Sequence, residues 1–341
     1  MPKTKVYFRT DANPEIGMGH LVRCSALASM IKDEFEIGFI TKNTPDTVLK
    51  KFLPQSYKTI KAGEDEFASL SENEILDSAN ILVLDNYAFD ADYQNEIKRS
   101  GVKVVYIDDL IGFNYNVDVI INQAENIKET DYKTRTKVKF CLGTQYLLLR
   151  EPFLKAATSE RHLKKIESVF VSFGGADMDN VSQKAVKALL KFPQLKNIHV
   201  LSSSVNENID KWKSEFNNSD KVKFHSDLSA EDVCELMQKC ELALGPCSNL
   251  ALELCSIGIV FITGTTASNQ DNYYKALTGN SAVLGIGKWQ DLSEQALFDK
   301  LNSVMVYDEK DLSWFVKNQR NYIDGKSGQR LLEVFKQLVN D

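Results

Sequence analysis

The stretch Arg9–His20, RTDANPEIGMGH, follows the apolar run Lys5–Phe8, KVYF, and decides how the chain begins to fold. The apolar run predicts a strand, and the helical spacing of the residues after the stretch predicts a helix. Gly17 and Gly19 permit a sharp turn between the two elements, which leaves His20 where the helix begins. The N–H groups of such a turn can hold an anion or a reacting oxygen. The alternative is a tight connection in which His20 only caps or packs locally.

Short apolar, β-branched runs alternate with amphipathic segments along the chain, and this alternation predicts βαβ units and parallel sheets. The predicted strands begin near residues 5, 35, 81, 102, 119, 168, 197, 222, 241 and 259. A charged stretch around residues 150–165 interrupts the alternation. We therefore expect an α/β protein with two doubly wound domains facing each other across a cleft. The predicted domains are residues 1–155 and 156–341, the second including closing C-terminal helices.

Composition limits the classes of function. The net charge of −6 is spread along the sequence, so nucleic acid and anionic membranes are not expected partners. No apolar run approaches the roughly 20 residues of a membrane span, and the N-terminus lacks a secretory signal, so we expect a cytoplasmic protein. The six cysteines have no paired spacing and indicate reduced core thiols, although Cys247 lies in a predicted loop. Phosphate-loop, serine-hydrolase, zinc and dinucleotide motifs are missing, so no metal or cofactor is expected.

Polar side chains cluster at the predicted strand ends of the first half. Ligands of open α/β sheets bind beyond the carboxyl ends of the strands. The side chains placed there are Asp11, Asp85, Asn86, Tyr87 and Asp109. His20 joins them as a side chain that can act as a base near neutral pH. Because Asp11 and His20 follow the same strand, Asp11 is expected to orient His20 or a sugar hydroxyl.

The second half repeats this arrangement with two more glycine-bearing turns between a strand and a helix. The candidate binding residues in and after these turns are Gly174, Gly175, Asp177, Ser248, Asn249 and Glu253. Asn269 and Gln270 open a further helix after a third strand. Glu253 can accept from a ribose diol, or it can be a solvated or paired glutamate. The turns alone are also compatible with simple tight connections.

Taken together, the motifs RTDANPEIGMGHLVRC, DNY, IDD, LGTQYLLLREPF, SFGGAD and SNLALE…SNQ resemble the UDP-sugar hydrolases of pseudaminic acid biosynthesis. Members of that family release 2,4-diacetamido-2,4,6-trideoxy-L-altrose from its UDP form. They have the GT-B fold, which they share with nucleotide-sugar glycosyltransferases. The motifs extend from residue 5 to about residue 272 in the order of the family.

The resemblance implies roles for individual residues. His20 is expected to activate the attacking water, with Tyr87 as a second catalytic residue and Gly17, Gly19 and Arg23 near the substrate. The UDP diphosphate is expected at Gly174–Gly175 and Ser248–Asn249, with the ribose near Glu253. Two residues depart from the family pattern, Asn86 in place of a histidine and Ser268 in place of a frequent glutamate, which puts the preferred sugar in doubt.

Three hypotheses follow from these patterns. The first is a metal-independent UDP-sugar hydrolase that acts as a monomer on a small-molecule UDP-sugar and water. The second is a GT-B glycosyltransferase, which needs an acceptor surface on the first domain. The third is a nucleotide-sugar-binding protein without catalysis.

Overall fold

The computed structural model describes residues 3–13, 16–174, 177, 179–202, 206–267 and 270–340. The chain forms two compact units, Met1–Glu151 with Lys326–Asp341, and Pro152–Gly325. The sequence pattern put the boundary a few residues later and assigned the last helix to the second domain. The structure groups that helix with the first unit.

The strands are β1 Lys5–Thr10, β2 Glu36–Thr41, β3 Lys58–Lys61, β4 Ile81–Asp85, β5 Lys103–Ile107, β6 Asn114–Tyr115, β7 Val119–Asn122, β8 Lys133–Thr134, β9 Lys139–Leu142, β10 Ser168–Val171, β11 Asn197–Leu201, β12 Val222–His225, β13 Leu242–Pro246, β14 Val260–Thr265 and β15 Leu284–Lys288.

The helices are α1 Gly19–Ile31, α2 Asp46–Phe52, α3 Glu66–Glu72, α4 Ala91–Lys98, α5 Glu151–Thr158, α6 Val181–Leu189, α7 Ile209–Glu215, α8 Ala230–Gln238, α9 Asn249–Ile257, α10 Asp271–Gly279, α11 Glu294–Val304, α12 Glu309–Tyr322 and α13 Ser327–Asn340. Two 3₁₀ turns cover Glu129–Asp131 and Thr144–Tyr146.

The first unit contains a parallel sheet whose described strands have the order β3-β2-β1-β4-β5-β7-β9. Every residue of β4 is buried, as expected for a central strand covered by helices on both faces. On one face α1 packs against α13, where Phe35, just after α1, makes an edge contact with Phe335 at 6.0 Å between ring centroids. The last helix therefore completes the core of the first unit.

The strand order reverses between β1 and β4, which are neighbours in the sheet although two strands separate them in sequence. Their register pairs Thr10 with Asp85. The chain leaves β1 towards one side of the sheet and β4 towards the other, so a crevice opens between the loops that follow them. His20 and Asp85 belong to these two loops and their flanks.

The second unit has its own parallel sheet, in the order β12-β11-β10-β13-β14-β15 among the described residues. The strand order reverses between β10 and β13, so the corresponding crevice lies beyond Phe173–Gly174 and beyond Cys247–Ser248. The indole N–H of Trp289 donates to the carbonyl of Gly245 at 3.1 Å and ties β13 to the buried core. The turn that leads into α9 therefore follows a buried strand that is tied to the core.

All ten predicted strands are confirmed, whereas β3, β6, β8, β9 and β15 were not predicted. Most of these are short or lie at a sheet edge, where an apolar run is not required. All six cysteines are buried, including Cys247. In the described part of the chain, no helix is both long and apolar enough to span a bilayer.

Candidate functional site

Asn13, Ile16 and Gly17, between β1 and α1, are joined by hydrogen bonds. The amide of Gly17 donates to the carbonyl of Asn13 at 2.8 Å, and the amide of Ile16 donates to the Asn13 side chain at 2.9 Å. Gly17 has a φ of +82°, a left-handed conformation that L side chains rarely adopt. Gly19 then begins α1, and His20 occupies its first turn. The backbone conformation of the turn therefore favours glycine at position 17.

His20 is held by a buried carboxylate at the end of β4. Its Nδ1 atom lies 2.7 Å from Oδ1 of Asp85, and the Asp85 side chain is fully buried. Burial alone would raise the pKa of the Asp85 carboxyl, but the charge and hydrogen bonds of Arg23, aided by His20, outweigh burial and lower it. The ionised carboxylate can only accept, so in the neutral ring Nδ1 carries the proton and Nε2 keeps its lone pair.

Arg23 fixes the carboxylate that orients His20. It lies one turn further along α1 and so shares a face of the helix with His20. Its Nε and Nη2 atoms donate to the two oxygens of Asp85 at 2.7 and 2.6 Å, and Nη1 donates to Asp109 at 2.9 Å. Because the Nδ1 proton points to Asp85, the 3.1 Å separation of Arg23 Nη2 and His20 Nδ1 is a contact between two donors. The bidentate geometry leaves Asp85 little freedom to rotate.

Tyr87 extends the cluster towards solvent. Its ring meets the His20 ring edge-on, with centroids 4.9 Å apart and planes at 82°. Its hydroxyl donates to Asp109 at 3.2 Å, and burial followed by the Asp109 charge raises the pKa of that hydroxyl, which keeps the donor protonated. The Tyr87 residue is 51% exposed. A mostly exposed aromatic ring thus covers the buried histidine.

A cavity of about 130 Å³ adjoins this cluster, between the loops after β4 and β5. Asn86 lines it together with Arg23, Asp85, Tyr87 and Asp109. The structure thus brings six of the predicted residues together, His20 and these five. Tyr106, Leu110 and Phe113 also line the cavity and were missed by the sequence analysis. The available signal was the apolar LIGF run that follows Asp109.

The expectation that Asp11 orients His20 is wrong, and Asp85 takes that place. Oδ1 of Asp11 accepts from the amides of Lys42 and Asn43 at 2.7 and 2.9 Å, and Oδ2 accepts from Arg9 at 2.6 Å. Both carboxylate oxygens are therefore used inside the protein. Asp11 connects the loop after β1 to the loop after β2.

In the second unit, the turn before α9 remains a candidate anion site. Ser248 precedes the helix without a side-chain capping hydrogen bond, and Asn249 is its first residue. By contrast, Ser229 and Ser293 cap α8 and α11 with their hydroxyls. The first amides of a helix without a side-chain cap are suited to bind an anion.

The structure gives Asp177 a different role from the predicted one in substrate binding. Its two oxygens accept from the amides of Val181 and Ser182 at 2.9 and 2.8 Å, so the carboxylate closes the N-terminus of α6. The first amides of α6 have no partner within the helix and need an acceptor, and Asp177 already supplies that acceptor. Gly174 has a φ of +84°, and a Cβ added there would meet open space.

The remaining predicted residues of the second unit have mixed outcomes. Glu253 is buried in α9, one turn beyond Asn249. The side-chain oxygen of Gln270 accepts from the amide of Thr266 at 2.8 Å and closes the turn before α10. Gly175 and Asn269, like Ser268, lie outside the described residues.

Curated proteins of three organisms are similar in sequence to this chain. The chain is 26% identical over 271 residues to the UDP-2,4-diacetamido-2,4,6-trideoxy-beta-L-altropyranose hydrolase of Campylobacter jejuni, covering 79% of the chain and 94% of the relative. It is 22% identical over 336 residues to the spore coat polysaccharide biosynthesis protein SpsG of Bacillus subtilis, covering 96% of each. An uncharacterised protein of Methanocaldococcus jannaschii is 25% identical over 274 residues, 75% of this chain, which spans 54% of that relative. No family model matches the chain. The resemblance indicated by the motifs is confirmed.

Solved structures share the fold. MurG of Acinetobacter baumannii matches with a TM-score of 0.67 at 10% identity, over 98% of this chain and 99% of that chain. A UDP-glucosyltransferase of Polygonum tinctorium matches with a TM-score of 0.67 at 13% identity, over 100% and 99% of the two chains. The predicted GT-B fold, with two Rossmann-like domains, is confirmed.

Proposed function

We propose that this protein hydrolyses UDP-2,4-diacetamido-2,4,6-trideoxy-β-L-altropyranose to UDP and the free sugar, a step of pseudaminic acid biosynthesis. The observation that carries the proposal is the buried pair of His20 and Asp85, with 2.7 Å between Nδ1 and Oδ1. The similarity to the Campylobacter hydrolase supports the choice of substrate. A histidine oriented by a buried carboxylate is suited to take a proton from water.

The reaction would begin with water bound at Nε2 of His20. The water oxygen attacks the anomeric carbon while its proton moves to Nε2, and the bond from that carbon to the UDP oxygen breaks. The electron pair of the broken bond leaves with UDP. The negative charge of Asp85 stabilises the imidazolium that forms, because Nδ1 already donates to its oxygen at 2.7 Å.

The departing UDP needs stabilisation of its negative charge more than it needs a proton. UDP departs as an anion, so backbone amides at a helix N-terminus can lower its energy without a metal. We assign this role to the turn at Ser248–Asn249, which has no side-chain cap, together with Gly174. Glu253 would accept from the ribose hydroxyls. The α6 N-terminus is left out of the proposal because Asp177 occupies it.

Tyr87 would act by holding the base and covering it. Its ring packs edge-on against His20, and its hydroxyl is held by Asp109 at 3.2 Å. Removing the ring would leave the imidazole free to tilt and open to solvent. We therefore expect Tyr87 to contribute to turnover. Asp109 and Asn86 would contact the sugar.

The test is to incubate the purified protein with the UDP-linked sugar and no acceptor, in ¹⁸O-labelled water, and to follow UDP release. Hydrolysis by this route places the label in the sugar and leaves UDP unlabelled. His20→Asn should lower turnover about 10²- to 10⁴-fold while UDP binding persists. His162→Asn is the matched control, since His162 is exposed and contacts Glu160.

The other outcomes identify the competing functions. UDP release that requires a sugar acceptor would indicate a glycosyltransferase. Binding of the UDP-sugar without release under any condition would indicate a binding protein. Either result with wild-type protein rejects the hydrolase, and full activity of His20→Asn rejects the assigned base.

A further inference from the structure

The cavity of about 130 Å³ beside the His20–Asp85 pair has two chemically different sides. One side is apolar and is formed by the rings of Tyr106 and Phe113 with the side chain of Leu110. Phe113 packs against Tyr106 with centroids 5.8 Å apart, so the aromatic wall is continuous. Leu110 is 62% exposed, which is unusual for a leucine that lines a recess. This wall presents apolar surface that a bound group could cover.

The other side of the cavity is charged but offers no net positive charge. The guanidinium of Arg23 is shared by the carboxylates of Asp85 and Asp109. One cation facing two anions leaves an excess of negative charge, which opposes a phosphate or a carboxylate. The group that fits here is therefore not an anion, and a neutral group with a hydrogen-bond donor and an apolar end can satisfy both sides.

The hydrogen-bonding capacity of Asp109 narrows the choice of bound group further. The Asp109 carboxylate is 30% exposed and already accepts from Arg23 and Tyr87, so it offers acceptor oxygens to a ligand. A ligand that approaches it must therefore donate, as an amide N–H does. An amide with a short alkyl end satisfies both the acceptor and the apolar wall.

We propose that this cavity binds the N-acyl group of an N-acylated amino sugar, and that Leu110 and Phe113 limit the length of the acyl chain. The cavity of about 130 Å³ has room for the few heavy atoms of a short acyl group. The identity of the sugar rests on the proposed function. The acyl specificity itself rests on the cavity.

The experiment compares UDP-sugars that carry N-acetyl, N-propanoyl and N-butanoyl groups. Wild-type protein should lose kcat/KM by about 10-fold or more for each added methylene, because the longer chain would meet Leu110 and Phe113. Leu110→Ala should raise the ratio of kcat/KM for the N-butanoyl substrate over the N-acetyl substrate by about 10-fold. Val306→Ala, an exposed apolar truncation in the second unit, is the control and should leave the ratio unchanged.

Phe113→Leu provides a second variant in the aromatic wall, and circular dichroism checks that it folds. An unchanged acyl preference in both Leu110→Ala and folded Phe113→Leu would overturn the inference, even if the wild-type protein is a hydrolase.

A binding experiment tests the acyl pocket independently of the proposed hydrolase activity. In saturation-transfer NMR with the UDP-diacetamido sugar, one acetamido methyl should receive more saturation than the other sugar protons. Leu110→Ala should reduce that transfer. If the wild type binds in this manner without turnover, the hydrolase proposal fails and the acyl pocket stands. Equal saturation of all sugar protons would overturn the pocket.

Discussion

The Nδ1 atom of His20 lies 2.7 Å from the fully buried carboxylate of Asp85, and this pair fixes which ring nitrogen carries the proton. An asparagine at position 85 could donate its amide hydrogens to Nδ1 and so move the ring proton to Nε2. The base would then be blocked while the side-chain volume stayed the same. The substitution Asp85→Asn, which keeps the side-chain volume, therefore tests whether Asp85 sets the tautomer of His20.

Asp85→Asn should lower kcat about 10²- to 10⁴-fold, with a much smaller change in KM. The measurement is steady-state UDP release, with circular dichroism to check the fold. Asp210→Asn is the control, since Asp210 is exposed on α7. A kcat within about threefold of wild type would show that the tautomer of His20 does not limit the reaction.

Arg23→Gln should destabilise the protein. Arg23 is buried and bonds both oxygens of Asp85, so its removal leaves a buried carboxylate without its cation. Breaking such a pair typically costs about 3–5 kcal/mol of unfolding free energy, which urea denaturation measures. Arg99→Gln breaks an exposed pair with Glu96 and should cost less than about 1 kcal/mol. Equal losses in both variants would contradict the structural role of Arg23.

The choice between Asp11 and Asp85 shows what the sequence could and could not predict. Asp11 follows β1 and Asp85 ends β4, two strands that were correctly predicted, at the same edge of one sheet. Their strands pair Asp85 with Thr10, so Asp11 is one residue beyond that level. Successive side chains of a strand point to opposite faces, which directs the two carboxylates apart. The register between β1 and β4 decides which carboxylate reaches His20. One sequence alone does not reveal that register.

Asp177 illustrates a different limit. The sequence showed a glycine-bearing turn before a helix, a pattern that serves equally to bind an anion or to form a capped helix start. The usual capping position is the residue directly before a helix, here Asn180, and Asp177 lies three residues before it. The structure assigns its carboxylate to the amides of Val181 and Ser182. The position of the turn between β10 and α6 was predicted correctly, and the use of the Asp177 carboxylate inside the protein was not.

The paired histidines of the second unit should make stability depend on pH. Nδ1 of His199 lies 3.0 Å from Nε2 of His225, and burial, then the neighbouring charges of His225, Lys223 and Lys239, lower the pKa of His199 to about 4. In the unfolded chain the pKa is about 6.5, so the unfolded state binds more protons between these values. Stability is therefore complete above pH 6.5 and falls as the pH drops towards 4, by up to about 3 kcal/mol.

The measurement is the unfolding free energy of wild type and His199→Gln between pH 4 and 7. The variant should show a flatter profile over this range, because it lacks the group whose protonation favours unfolding. His162→Gln removes an exposed histidine and should keep the wild-type slope. Identical slopes for all three proteins would refute the assignment.

Gly17→Ala should weaken the turn that delivers His20. Gly17 has a φ of +82°, and a Cβ there would meet no atom within 4 Å, so the backbone conformation alone opposes alanine. The expected loss is about 1–2 kcal/mol of unfolding free energy, with a lower kcat because His20 is only three residues away. Gly279→Ala is the matched control, since it also meets no atom within 4 Å but has no positive φ. It should be neutral or slightly stabilising at the end of α10. If both variants have wild-type stability and kcat, the left-handed turn is not required to place the base.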